Sequence, residues 1–143
     1  MLRGISPVIG IDLLTMLYRM GHGDELVLAD AHFPGESHGQ RVVRADGLLI
    51  ADLLDGLLPL ITLDRYVPHA VTMMSPVPGD QIDPQISATY QHVINRHHPW
   101  VSTIIAIDRQ AFYQQARQAF AVVMTSETKR YSNIIIRRGN DSV

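Results

Sequence analysis

A histidine and an aspartate stand at the two ends of one short apolar segment near the start of the chain. His22 precedes the segment Glu25–Ala29, and Asp30 follows it directly. An imidazole can give or accept a proton near neutral pH, and a carboxylate accepts strong hydrogen bonds, so this pair suits proton transfer on a polar ligand. The alternative is a histidine at the end of a helix beside an unrelated aspartate in a turn. Spacing alone leaves both interpretations open.

Two further polar sites lie at junctions between strands and loops. Asp108 and Arg109 begin a predicted helix, and Tyr131, Ser132 and Asn133 precede the last predicted strand. Each has an ordinary structural alternative, a helix N-cap with a solvated neighbour in the first case and a polar turn in the second. The sequence contains no nucleophile–base pair, phosphate-binding glycine loop or nucleotide fingerprint near them.

Alternating helices and strands must position these side chains, and this alternation is typical of an α/β fold. Asp83 and Asp108 are predicted N-caps, and Gly21 is predicted to end the first helix in the left-handed conformation. The predicted helices are 12–20, 47–60, 84–96 and 109–119, and the predicted strands are Glu25–Ala29, Val71–Met74, 103–107 in the centre of the sheet, 121–124 and Ile134–Arg137. We expect one three-layer domain over residues 1–143, with a mixed, largely parallel sheet flanked by helices.

Composition excludes several classes of protein. With 143 residues and 46% apolar residues, the chain can bury one core. The net charge is −2 and the twelve Lys and Arg residues are scattered, so we expect no nucleic-acid partner. The chain has no cysteine, which excludes disulfides and thiolate metal sites. The sequence also lacks an apolar run typical of a signal peptide or membrane span, so we expect a cytoplasmic protein with no membrane partner.

Seven histidines raise the alternative of a metal-dependent hydrolase. His92, His97 and His98 lie close together in sequence, but His97 and His98 are adjacent and point apart on a helix. No two histidines have the i, i+4 spacing of a helical zinc pair. We therefore interpret them as the polar end of a helix and expect no metal.

Five motifs, in this order, resemble a family of bacterial sugar-converting proteins. The motifs are Gly21-His22-Gly23-Asp24-Glu25, Asp30-Ala31-His32-Phe33-Pro34, Arg44-Ala45-Asp46-Gly47-Leu48-Leu49, Arg109 followed by Ala111-Phe112-Tyr113, and Tyr131-Ser132-Asn133-Ile134-Ile135. Over residues 5–139 the chain is similar to the family that contains L-fucose mutarotase and D-ribose pyranase. Arg109 and the His32-Phe33-Pro34 segment resemble the fucose branch, because the ribose branch has a histidine and Gly-Leu-Pro at these places. Ser132 departs from the family pattern, which has glycine or alanine there.

The resemblance implies an isomerase that interconverts the α and β anomers of a free monosaccharide, with L-fucose as the expected sugar, without a cofactor. His22 matches the family's proton donor. The matched substrate-binding positions are Asp30, Arg109, Tyr131, Ser132 and Asn133. The group that takes the anomeric proton stays open between Asp30, Tyr131 and a water molecule. Alternatives are the pyranose–furanose interconversion of a D-ribose pyranase and a non-catalytic, sugar-binding accessory of transport.

The same resemblance implies a homo-oligomer, a ring-shaped decamer with its sites between neighbouring subunits. The sequence itself offers only weak support for this assembly. Leu57, Leu58 and Ile61 are apolar residues that fit an interface, and they fit a core helix equally well.

Overall fold

The computed structural model describes residues 1–140, which build one six-stranded sheet with helices on both faces. The helices are α1 (Ile11–Arg19), α2 (Gly35–His38), α3 (Ile50–Leu57), α4 (Pro84–His97) and α5 (Arg109–Gln118), and a 3₁₀ turn, Leu58–Leu60, extends α3. The strands are β1 (Glu25–Ala29), β2 (Val42–Ala45), β3 (Val71–Met74), β4 (Ile105–Ile107), β5 (Ala121–Thr125) and β6 (Ile134–Arg137). Residues 141–143 of the predicted 1–143 domain lie outside the described residues.

Strand β6 is the reversed strand of an otherwise parallel sheet. The strand order is β2-β5-β1-β6-β3-β4. β6 runs antiparallel to both β1 and β3, whereas the pairs β1–β5, β2–β5 and β3–β4 are parallel. The predicted mixed, largely parallel sheet flanked by helices is therefore confirmed. The reversal matters for the site, because it sets the start of β6 beside the end of β1.

The sheet is buried on both faces, which explains why β1, β5 and β6 read as continuous apolar runs. Leu53 of α3 and Ile94 of α4 belong to the core on one face, and Phe112 of α5 belongs to the core on the other. Leu57 and Leu58, with 0% and 1% of their surface exposed, lie in the first of these cores. Ile61 lies there too, so the interface interpretation of these three residues is wrong and the core-helix interpretation is correct.

Helix starts follow the predicted capping more closely than helix ends do. The Asp83 carboxylate accepts a hydrogen bond from the Gln85 N–H at 2.9 Å, and Asp108 accepts one from the Ala111 N–H at 2.8 Å. The prediction of a left-handed Gly21 is wrong. Helix α1 ends in an extended Met20, and the left-handed glycine is Gly23, with φ +87°, in the turn before β1.

Two other expectations are corrected. Helix α3 begins at Ile50, three residues after the predicted start, because the left-handed Gly47 (φ +86°) forms a turn before it. The predicted central strand 103–107 is the short edge strand β4, because the β-branched run fits any strand and does not specify its place in the sheet. The sequence patterns predict neither strand β2 nor the four-residue helix α2.

No helix in the described part of the chain is long and apolar enough to cross a membrane.

Candidate functional site

A cavity of about 280 Å³ opens where the parallel strands β1 and β3 end and the reversed strand β6 begins. Its polar lining is made by Asp30, His32, Arg109, Thr128, Lys129, Arg130, Tyr131 and Asn133. Phe33, Met74 and Tyr113 add apolar and aromatic surface. Ligands of open α/β sheets bind beyond the carboxyl ends of the strands, and the volume is near the lower end of the range for small-molecule sites.

Asp30 and Asn133 meet because β6 pairs with β1. Leu28 lies opposite Ile134, so the residues that follow and precede them come together, although they are far apart in sequence. The Asp30 N–H donates to Asn133 Oδ1 at 2.7 Å, and this bond holds the amide side chain at the cavity wall. Four of the predicted site residues, Asp30, Arg109, Tyr131 and Asn133, line this one cavity.

The Asp30 carboxyl group is a buried acid that is held by hydrogen bonds. Only 7% of the residue is exposed, and the His32 N–H donates to Oδ1 at 2.9 Å. Burial raises the pKa of Asp30 above its ordinary value, although hydrogen bonds from the backbone of His32 and Phe33 and from the Asn133 side chain oppose the shift. A carboxylate whose pKa is raised is a better proton acceptor than an ordinary aspartate.

Arg109 is the first residue of α5, directly after the Asp108 cap. A cation at a helix N-terminus opposes the helix dipole, so this position does not favour an arginine for structural reasons. Its guanidinium carbon lies 5.3 Å from the centre of the Tyr113 ring, and within residues 1–140 it forms no ion pair. The charge is available to a ligand in the cavity.

Tyr131 has a strained backbone and a fixed hydroxyl group. Its φ of +56° makes it the one non-glycine residue of the described chain with a left-handed backbone. This conformation is costly for an aromatic side chain and is typical of residues under functional constraint. The hydroxyl donates to Asp80 Oδ2 at 2.5 Å and accepts from the Val77 N–H at 3.2 Å, so the loop after β3 holds the ring at the cavity.

Ser132 is placed differently from its two neighbours. Its side chain is fully buried, and its hydroxyl donates to the Lys129 carbonyl at 2.6 Å. Its own carbonyl accepts a hydrogen bond from the Tyr90 hydroxyl at 2.8 Å. The serine therefore fixes the turn that carries Tyr131 and Asn133, and its side chain does not line the cavity.

His22 lies at the opposite end of β1 from Asp30. A strand of five residues spans about 17 Å, so the imidazole of the same chain does not reach the cavity. The side chain is 41% exposed, its Nε2 lies 3.6 Å from Asp64 Oδ2, and its ring stacks on Tyr66 at 5.7 Å between ring centres. Within one chain the predicted site residues thus form two groups.

Asp64 is the residue of this second group that the sequence did not reveal. Its side chain is fully buried, and it accepts hydrogen bonds from the Tyr66 N–H and from Arg137 Nε, both at 2.9 Å. Burial acts to raise the pKa of Asp64, but these hydrogen bonds and the charges of His22 and Arg137 outweigh it, so the pKa lies below its ordinary value. Asp64 and Arg137 are 73 positions apart, and no local pattern connects them.

Two of the histidines that raised the metal alternative form other contacts. His97 Nε2 lies 2.7 Å from Asp55 Oδ1, and His98 Nε2 donates to the Ile61 carbonyl at 3.0 Å. Among residues 1–140, no group of three or more potential metal ligands converges.

Fold and cavity together define a small α/β protein with a pocket of small-molecule size that polar and aromatic side chains line. The chain belongs to the RbsD / FucU transport protein family, whose model matches residues 3–140. The membership agrees with the resemblance that the five sequence motifs carry.

Solved structures of two relatives match nearly the whole chain. A fucose mutarotase from Streptococcus pneumoniae, solved in complex with L-fucose, is 42% identical, with a TM-score of 0.92, and the match covers 99% of this chain and 100% of that one. FucU from Bifidobacterium longum is 38% identical, with a TM-score of 0.93 and coverage of 98% and 100%. RbsD from Bacillus subtilis, solved with D-ribose, shares the fold at 20% identity and a TM-score of 0.75, covering 99% and 100%.

Proposed function

We propose that this protein is a mutarotase that interconverts the α and β anomers of L-fucose or a closely related pyranose. One observation carries the proposal. Asp30, Arg109, Tyr131 and Asn133 converge on a cavity in a chain that is 42% identical, over its whole length, to a fucose mutarotase solved with L-fucose. Ser132 contributes by fixing the turn between Tyr131 and Asn133.

Mutarotation requires two proton transfers and no redox chemistry. The anomeric hydroxyl loses a proton while the ring oxygen gains one, the ring opens to the aldehyde, the carbonyl turns its other face, and the ring closes. Arg109 and Asn133 can donate hydrogen bonds to sugar hydroxyls, and Asp30 can accept them. Among the candidates for accepting the anomeric proton, the buried Asp30 is favoured over Tyr131, because the Tyr131 hydroxyl already donates to Asp80.

We assign the proton donor to His22, and this assignment needs a second subunit. General acid–base assistance contributes roughly 10²- to 10⁴-fold to such a reaction. Since the imidazole lies about one strand length from the cavity of its own chain, it serves the cavity of a neighbour in the proposed assembly. We propose a homo-oligomer, a decameric ring, in which His22 of one subunit completes the site of the next.

Two observations disfavour the alternative that the protein acts on D-ribose. Arg109 stands at a position where, by the family resemblance, the ribose branch has a histidine, and this chain is only 20% identical to the RbsD that was solved with D-ribose. We therefore prefer a six-carbon pyranose. We also propose a cytoplasmic location, because the chain has no cysteine and therefore carries no disulfide that would indicate an oxidising compartment.

NMR exchange spectroscopy at anomeric equilibrium tests the function directly, because mutarotation causes no net change in composition. L-Fucose, D-galactose and D-ribose would be compared at equal concentration, with protein-free sugar as the control. We expect exchange of L-fucose anomers to rise far above the spontaneous rate and exchange of D-ribose to rise less. Sugar signals that broaden on binding without faster anomer exchange would identify a binding protein and reject the mutarotase.

A further inference from the structure

We infer that Asp80, in the loop after β3, is a positioning residue that holds Tyr131 and thereby sets the affinity of the cavity for sugar. The inference rests on the proposed function, in which Tyr131 is a sugar-binding residue. The Tyr131 hydroxyl donates to Asp80 Oδ2 at 2.5 Å, and Arg130 Nη2 donates to the same oxygen at 2.7 Å. The guanidinium carbon of Arg130 lies 5.7 Å from the centre of the Tyr131 ring. Asp80 therefore holds Tyr131 at its hydroxyl and, through Arg130, at its ring face.

Tyr131 needs a contact from another segment to keep its place, because its own backbone is strained. Its left-handed φ of +56° is a conformation that persists only where the surrounding structure holds the residue. The half-buried ring packs against the apolar core on the α5 face of the sheet. The hydroxyl is the end of the side chain farthest from the backbone, so a hydrogen bond there fixes the direction of the ring. Without Asp80 the ring should lose its fixed place at the cavity wall.

The segment Val77-Pro78-Gly79-Asp80 forms a β-turn that suits this contact. The Asp80 N–H donates to the Val77 carbonyl at 3.0 Å, and Gly79 is left-handed, with φ +92°. Proline at the second position and a left-handed glycine at the third are typical of a type II turn. This turn brings the Val77 N–H and the Asp80 carboxylate to the same phenol oxygen. The backbone of the turn therefore sets the point at which the Tyr131 hydroxyl is held.

The contact also determines how Tyr131 can bind a sugar. The single hydroxyl proton is donated to Asp80, so the phenol oxygen has no proton to give to a sugar oxygen. It can still accept a hydrogen bond from a sugar hydroxyl, and the ring adds contact surface. Proton transfer stays with His22 and Asp30. Loss of Asp80 should therefore change the affinity for sugar more than the catalytic step, and Asp80 acts through Tyr131 without contacting the substrate.

The variant Asp80→Ala tests the role, because it removes the acceptor and leaves the groups assigned to proton transfer in place. We expect the dissociation constant for L-fucose to rise roughly 3- to 10-fold, the size of one lost hydrogen bond, while kcat for anomer exchange stays near that of the unmodified protein. The ¹³C NMR signal of Tyr131 Cζ should shift, because it responds to hydrogen bonds at the attached oxygen. Asp80→Asn keeps an acceptor oxygen but removes the charge that pairs with Arg130, and it should restore both the affinity and the Tyr131 signal.

Asp83→Ala is the matched control, because this carboxylate lies further along the same loop and caps α4. It should lower the melting temperature and leave both the dissociation constant and the Tyr131 signal unchanged. Two left-handed glycines give a second matched pair, since a Cβ atom would have open space at both. Gly79→Ala strains the turn and should weaken L-fucose binding, whereas Gly4→Ala strains a segment outside the cavity lining and should not. If Asp80→Ala fails to fold by circular dichroism, Gly79→Ala decides the question.

A double variant separates positioning from general damage to the cavity. In a Tyr131→Phe background, which lacks the hydroxyl, Asp80→Ala should cause no further rise in the dissociation constant, whereas a residue that supports the whole cavity would raise it again. An unchanged dissociation constant and an unchanged Tyr131 signal in Asp80→Ala would overturn the inference, and so would a fall in kcat at unchanged affinity. If the unmodified protein exchanged no sugar anomers, the proposed function would be rejected, and the Tyr131 signal would still decide whether Asp80 holds the ring.

Discussion

Arg109 combines an unfavourable helix position with an available charge, and this combination is best explained by a ligand. Replacing it with alanine removes a charged donor from the cavity without disturbing the core, because the residue is exposed. We expect Arg109→Ala to weaken L-fucose binding by about 1.5–3 kcal/mol, the size of a lost hydrogen bond to a charged group. Isothermal titration calorimetry or NMR titration measures this change.

Arg117 offers a matched control at the other end of the same helix. It is also exposed, and its contact is with His38 at 3.1 Å, away from the sugar cavity. Arg117→Ala should leave the dissociation constant unchanged. If the Arg109 and Arg117 variants had the same dissociation constant for L-fucose, Arg109 would be an ordinary solvated arginine and not a binding residue.

His22 is assigned to proton transfer and not to holding the sugar. The variant His22→Ala should therefore lose most of its anomer exchange, roughly 10²-fold or more, because it lacks the general acid. Binding of L-fucose should persist, since the Asp30 cavity is intact in each subunit. Exchange spectroscopy and a binding titration on the same sample measure both. Exchange at the unmodified rate would show that another group donates the proton.

The sequence predicted the residues of the cavity better than it predicted their roles. Asp30, Arg109, Tyr131 and Asn133 follow from motifs in which each residue has a recognisable local setting. The burial of the Ser132 side chain does not follow, because it depends on Tyr90 of α4, which packs over the turn only in the folded molecule. Asp64 and Arg137 could not be paired for the same reason.

At the scale of elements, the predicted parts are those whose signals are local. The caps at Asp83 and Asp108 need only a short side chain and the next N–H groups, and both form as expected. Strand order depends on contacts between distant segments, so the residues of β4 alone do not predict its position at the edge of the sheet. Strand β2 was missed because an arginine and its polar neighbours weaken its apolar pattern.

His98 makes the end of α4 sensitive to pH. The residue follows the last turn of the helix, is 4% exposed and donates from Nε2 to the Ile61 carbonyl, while Nδ1 is buried with no hydrogen-bond partner in the described structure. Burial is the main cause that lowers the pKa of His98 below its ordinary value, 6.5. As the pH falls below about 6.5, the unfolded chain takes up a proton here and the folded chain does not.

The free energy of unfolding should therefore decline between pH 6.5 and the lower pKa of the folded state, by up to about 1.4 kcal/mol per pH unit from this group. His98→Gln keeps an N–H donor and removes the titration, so the decline should be smaller. His92→Gln, an exposed histidine of the same helix, is the control. Urea unfolding at a series of pH values measures all three proteins. Parallel pH profiles for the original protein and His98→Gln would contradict the assignment.

At the scale of the whole molecule, the two ends of the reversed strand β6 contact the two separate groups of predicted site residues. Its start brings Asn133 beside Asp30, and its end carries Arg137 to Asp64 near His22. Asn133 and Asp30 are far apart in the sequence, and the antiparallel pairing of β6 with β1 brings them together in one chain. Because His22 lies at the other end of β1, it is the group that a neighbour supplies in the proposed assembly.

Subunit mixing tests this division directly. His22→Ala subunits keep an intact cavity, and Asn133→Ala subunits keep an intact imidazole, so neither forms a complete site alone. After exchange of equal amounts in a closed ring, about a quarter of the sites should receive both intact groups, and anomer exchange should recover to about that fraction. Native mass spectrometry verifies that mixed oligomers form, and Arg109→Ala replaces Asn133→Ala if loss of the bond to Asp30 unfolds the turn. Mixed oligomers that stay inactive, or a fully active monomer in gel filtration, would place His22 and the sugar in the same chain.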